Sequence, residues 1–125
     1  MAGEFVADAV LDAALDEIIN NAVRLAVCSS APAAYANIAA ATLASFTIDS
    51  SDFTKANGDT SGRKVTVSAQ SGATASGTGN ATHLVLHDNS SVMYAINACT
   101  SQSVTTGNTV NTAAYDIEFR DAAAP

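Results

Sequence analysis

Tyr115-Asp116-Ile117-Glu118-Phe119-Arg120 alternates an apolar with a charged residue along its whole length. Successive side chains of a strand point to opposite faces, so Tyr115, Ile117 and Phe119 line one face and Asp116, Glu118 and Arg120 the other. The same alternation recurs upstream. Lys64 to Ala69 places Val65, Val67 and Ala69 on one side, and Val23, Leu25 and Val27 alternate with Arg24, Ala26 and Cys28 as a half-buried strand. Pro32 ends that strand because it has no N–H for a ladder. Further strands are expected at Phe46-Thr47-Ile48, Ala81 to His87 and Val92 to Cys99, with shorter apolar points at Val104 and Val110. Asn57-Gly58-Asp59, Asp88-Asn89-Ser90 and Thr106-Gly107-Asn108 are the turns between them, since Asn and Gly tolerate positive φ. Strands at intervals of about 8–15 residues with little helix between them predict a mainly β chain: an antiparallel β-sandwich or jelly-roll-like barrel of about 7–8 strands.

The opening segment has a different period. Val10, Leu11, Ala14, Leu15, Ile18, Ile19 and Ala22 recur at helical spacing and predict one N-terminal α-helix. Asp8, Asp12 and Asp16 fall four residues apart on another face of it, where like charges repel. They are read either as a solvated face or as a docking face for a basic patch on a partner. Phe5 and Val6, ahead of the helix, would be odd as exposed apolar groups and are candidate partner contacts with them. The Ala-rich stretch Ala33 to Ala44 reads as a loop or short helix. Ser71 to Asn80 is almost all Ser, Gly, Ala and Thr and reads as a mobile hairpin tip or linker, with Ser71, Gly72, Gly77 and Gly79 the candidate exposed-loop positions. One domain over 1–125 is expected, with an arm and helix at 1–22, the sandwich at 23–121 and a tail at 122–125.

The 125 residues carry 12 acidic and 5 basic side chains, a formal charge of −7. Nucleic acid is excluded as a partner on that balance, because phosphate binding needs clustered Lys and Arg, and so is an anionic membrane surface. No apolar run nears the length of about 18 residues that a membrane span needs. The N-terminus lacks a basic flank followed by an apolar signal core, so a soluble chain made without an export signal is expected. Charged residues are 14% of the chain against a usual share of about 25%, and small uncharged residues stand in their place. Such a surface suits repeated contact with other proteins, because few long side chains need to be immobilised.

Candidate chemistry is sparse. His83 and His87 are four apart on a predicted strand, about 13 Å at the rise of a strand, too far to grip one zinc at about 2.1 Å; polar sheet-face histidines are the reading. Ser61-Gly62-Arg63-Lys64 has the form S-x-x-K but lacks the companion motifs of acyl-serine enzymes. Asp49, Asp52 and Asp59 flank the same turn and are read as caps of their own backbone rather than a calcium site. Gly72, Gly77 and Gly79 lack the Lys-Ser/Thr and helix of a phosphate cradle. Cys28 and Cys99 each end a predicted strand, so they are either adjacent reduced thiols or a disulfide worth about 4 kcal/mol for a loop of that length. No enzyme, cofactor or metal is expected.

Several stretches together resemble small virion proteins of tailed bacteriophages: Leu25-Ala26-Val27-Cys28-Ser29-Ser30-Ala31-Pro32; Asp52-Phe53-Thr54 with Gly58 to Val65; Gly79 to Asp88; and Cys99-Thr100 with Thr106 to Val110. The resemblance covers most of the chain from about Leu11 to Asp121 and implies a particle component. Its implied role is capsid decoration (cement) on the exterior of the virion, assembled in the bacterial host cytoplasm. Implied partners are the major capsid protein or another virion protein, and further copies of the chain as a homo-oligomer, with a trimer favoured. The alternative within the same setting is a tail or head-fibre module that binds the host surface.

Overall fold

A computed structural model describes residues 7–59 and 62–119. Helix α1 (Asp8–Asn21) is followed by nine strands: β1 (Arg24–Cys28), β2 (Thr42–Thr47), β3 (Phe53–Asn57), β4 (Arg63–Val67), β5 (Gln70–Thr74), β6 (Gly79–His87), β7 (Met93–Val104), β8 (Thr109–Thr112) and β9 (Tyr115–Phe119). A 3-10 turn (Tyr35–Asn37) and a single-turn helix α2 (Ile38–Ala41) link β1 to β2, and a second 3-10 turn (Ser50–Asp52) leads into β3. All pairings are antiparallel. They form a four-stranded sheet in the order β2-β1-β6-β7, a three-stranded sheet β3-β4-β9 and a ribbon β5-β8. The mainly β fold with an N-terminal helix is as the alternation predicts and is consistent with a β-sandwich, with nine strands among the described residues in place of about 7–8.

Registers explain which faces meet. Leu25 lies opposite both Phe46 and Leu86, and Val27 opposite Ala44 and Leu84, so these residues share the inner face of the four-stranded sheet. From the three-stranded sheet, Phe53, Val65 and Val67 face them, and Leu15, Ile18 and Ala22 close the same cluster from α1. The helix is therefore a wall of the core. Its apolar stripe is narrower than the periodicity predicts, because Ala14 is exposed and Val10 is 61% exposed.

β1 corrects the expectation of a half-buried strand. Ala26 and Cys28, on its outer face, are as buried as Leu25 and Val27. The Ala-rich segment lies over that face: Ile38 and Ala41 of α2 form a second cluster with Ala26, Cys28 and Val85, with Tyr35 and Met93 against it. Small side chains let the helical turn approach the sheet closely, and β1 ends up central and covered on both sides.

Ser71 to Asn80 is the second correction. Ser71 and Gly72 lie in β5, which pairs with β8, and Gly79 and Asn80 begin β6 opposite Val104 and Ser103. Small polar residues make strand here because partner strands satisfy their main chain, a tertiary effect that composition does not report. The ladder is irregular between Gln70 and Ala73, where Gly72 adopts φ +86° and donates its N–H to Asn111 Oδ1 at 3.0 Å. Gly77 sits against β2, where an added Cβ would stand 3.3 Å from Leu43 Cδ2. Of the four candidate loop glycine and serine positions, Ser71 and Gly72 are exposed and Gly77 and Gly79 half-buried.

His87 is the third. It is 6% exposed rather than a polar face residue, packed edge-on to Tyr35 with ring centroids 5.7 Å apart. Its Nδ1 accepts the Asn89 N–H at 3.0 Å, which puts a neutral ring's proton on Nε2. Burial lowers its pKa, and Arg24 adds to the fall while Asp88 opposes it. A lowered folded-state pKa means that the unfolded chain binds more protons below its own value of about 6.5. The His87 contribution is thus complete above that pH and is lost as pH falls beneath it. The melting temperature is expected to drop by several degrees between about pH 7 and 5, and His87→Gln should flatten that part of the profile. Asp52, Asp88 and Asp116, whose pKa values are also lowered, lose their contributions only below about pH 4. An unchanged slope in the variant would show that His87 is not the group titrating.

Candidate functional site

The acidic face of α1 has its basic partner within the chain. Asp12 Oδ1 accepts from Arg63 Nε at 2.8 Å, and Asp16 Oδ1 from Lys55 Nζ at 2.8 Å. Residues 55 and 63 reach the helix because Lys55, Val65 and Arg63 share the core-facing side of the β3-β4 pair. The Asp12 hydrogen bond, with the field of Asp8 behind it, raises the Arg63 pKa above its usual range. Asp12 and Asp16 therefore tie α1 to the three-stranded sheet while staying partly exposed; Asp8 stays exposed at the start of the helix. Phe5 and Val6 lie outside the described residues.

The other polar candidates serve turns and strand faces. Asp49 and Asp52 cap each other's backbone across the 3-10 turn at Ser50–Asp52, and Asp49 also accepts from the Ser51 hydroxyl. Asp52 Oδ1 further accepts from Ser68 Oγ and Gln70 Nε2 at 3.0 and 3.1 Å. On the outer face of the three-stranded sheet, Lys64 Nζ bridges Asp59 at 2.7 Å and Asp116 at 3.3 Å. Both carboxylates raise its pKa, Asp59 first. Lys64 is thereby tied up, and Ser61 of the S-x-x-K match lies outside the described residues. His83 Nδ1 bonds to Thr82 Oγ1 at 2.8 Å.

The cysteines are both free. β6 lies between β1 and β7, two strand spacings of about 4.8 Å each. Cys28 belongs to the outer cluster and Cys99 packs against the inner core, on the opposite face of the sheet. A disulfide needs Cα atoms within about 7 Å and converging Cβ vectors, so neither a bond nor adjacent thiols form. Burial raises both thiol pKa values, the wrong direction for a nucleophile.

What the sequence reading missed is a cleft of about 680 Å³ at the side of the sandwich. Val27, Ala81 and Leu84 form its floor, β7 from Asn97 to Val104 one wall, and the stretch Asn108–Tyr115 the other. The sheets do not close into a barrel here: β7 is an edge, with β6 on one side and no strand on the other among the described residues. No charged side chain lines the cleft; its polar groups are the amides of Asn97, Gln102, Asn108 and Asn111 and several threonine hydroxyls. The Tyr115 Oη is closed off from water and has no hydrogen-bond partner in the structure, and burial drives the phenol's pKa far upward. A signal was present in the sequence: from Asn97 to Ala114 there is no Asp, Glu, Lys or Arg.

An uncharged wall without a general base, a thiolate or a carboxylate pair can bind through main-chain and amide hydrogen bonds and apolar contact. Comparison with known protein families, with curated proteins and with solved structures returns no match.

Proposed function

We propose that the chain is a structural component of a tailed-bacteriophage virion, a capsid decoration protein that stabilises the head by bridging shell subunits. The observation that supports this best is the long uncharged margin: an edge strand of 12 residues, Met93–Val104, beside an open cleft lined by amides and hydroxyls. A main-chain edge of this kind is a template for pairing with another chain. The resemblance of residues 25–32, 52–54, 58–65, 79–88, 99–100 and 106–110 to small virion proteins supplies the setting. Internal neutralisation of Asp12, Asp16, Asp59 and Asp116 by Arg63, Lys55 and Lys64 fits a body that presents few free cations. Its work would be thermodynamic, with standard interfaces on the order of 1,600 Å² repeated by the symmetry of the shell.

Copy number tests this. Quantitative densitometry of purified particles should find hundreds of copies, and particles lacking the chain should lose DNA sooner on heating. A few tens of copies or fewer would favour the fibre reading, and equal heat resistance without the chain would sink the decoration role.

A further inference from the structure

We propose that a pocket on the outer face of the four-stranded sheet, between Arg24, Tyr35 and His87, binds a hydroxylated monocarboxylate of the sugar-acid class. It lies on the opposite face of that sheet from the β7 cleft. The site goes beyond the structural role proposed above and does not depend on it.

Two side chains on this face hold donors without acceptors. Arg24 of β1 and His87 of β6 are register partners, so both side chains stand on the outer face within reach of one small group. Among the described residues Lys55, Arg63 and Lys64 each hold a carboxylate, and Arg24 holds none. Arg24 Nη1 donates to Thr47 Oγ1 at 2.8 Å, and the rest of the guanidinium has no hydrogen-bond partner. His87 is the one buried polar side chain among the described residues. Its Nδ1 is taken by the Asn89 N–H, which leaves the Nε2–H without an acceptor. A carboxylate supplies two acceptor oxygens in the planar arrangement that suits a guanidinium fork.

Charge and lining narrow the class. Burial lowers the His87 pKa and Arg24 lowers it further, so the ring is neutral near pH 7. Asp88 opposes this, but its Oδ1 is held by the N–H groups of Ser90, Ser91 and Val92, and no carboxylate lines the pocket. The site thus carries one positive charge within a chain of formal charge −7, which favours a monoanion over a phosphate group of nearly two charges. The space measures about 490 Å³, within the range of about 300–1,000 Å³ for small-molecule sites. Ala26, Tyr35 and Ile38 form an apolar side, and the exposed Ser45, Ser76 and Asn89 offer hydroxyl and amide groups. A sugar ring divides in the same way, with C–H faces for the apolar side and hydroxyls for the polar one.

Titration of the full-length protein with galacturonate, followed by NMR and calorimetry, tests the site. Saturable shifts should centre on Arg24, Tyr35, His87 and Asn89. Galactose, which lacks the carboxylate, and acetate, which lacks the hydroxyls, should each bind at least about tenfold more weakly. Arg24→Gln should weaken galacturonate binding by about tenfold or more with the melting temperature little changed, and Arg24→Lys should recover only part of the loss. Ala39→Phe, at an exposed position of the wall, should obstruct the pocket without touching either donor. Tighter binding of a galacturonate oligomer would give an acidic polysaccharide as the source, and equal affinity the free acid; both support the site. Absence of saturable shifts, affinity unmoved by Arg24→Gln and Ala39→Phe, or phosphate or acetate binding as tightly as galacturonate would overturn it. Copy number on particles is measured separately, so the structural role stands or falls on its own.

Discussion

Leu15→Ala is expected to lower the stability of the folded chain by about 3–5 kcal/mol, the range for a large-to-small change that leaves a cavity in a rigid core. Leu15 is 0% exposed and packs with Ile18, Leu25, Val65 and Val67 in the principal cluster. The neighbouring atoms belong to two sheets and cannot both move in to fill the space. A whole domain is stable by only about 5–15 kcal/mol, so the variant should unfold at far lower denaturant. Val10→Ala, on the same helix but exposed, should change stability by less than about 0.5 kcal/mol. The pair separates two pictures of α1. If the helix were an arm docked loosely on the sandwich, both substitutions would be mild; if it is a wall of the core, only the first is severe. Equilibrium urea unfolding of the two variants decides between them, and equal midpoints would refute the core role.

Tyr115→Phe is expected to act in the opposite direction. Its ring packs against the main core while its hydroxyl has no partner. A buried polar group left unpaired costs about 1–3 kcal/mol, and removing it without changing the ring's shape returns most of that. The dilute, unassociated variant should therefore melt higher than the parent by several degrees. A melting temperature that falls on Tyr115→Phe would mean that the hydroxyl is satisfied in the isolated chain.

Local pattern carried the fold where one face of an element meets water. α1 and β9 are legible for that reason: solvent on one side and core on the other impose helical and alternating periods on Leu11, Leu15 and Ile18 and on Tyr115, Ile117 and Phe119. β1 is not, because α2 covers its second face and the alternation of Val27 with Cys28 no longer marks inside from outside. Ser71 to Thr74 is strand only because β8 lies beside it, a pairing some 40 residues distant that no short window contains. The destination of Asp12 and Asp16 was hidden in the same way, since Arg63 and Lys55 meet them only after β3 and β4 fold back. The cysteines were misplaced by a topological fact: β6, later in the chain than β1, is inserted between β1 and β7. The cleft left its trace as an absence of charge from Asn97 to Ala114, which has meaning only once the edge position of β7 is known.

That edge has a bearing on when the chain is made as well as on what it joins. Natural sheets guard their margins with lysine, proline or an inward charge, and β7 has none of these in Met93–Val104. Left alone at high concentration, such a margin is an aggregation hazard. Under the proposed virion role, synthesis timed to the appearance of acceptor particles would limit that risk, so the unguarded strand would constrain the schedule of expression.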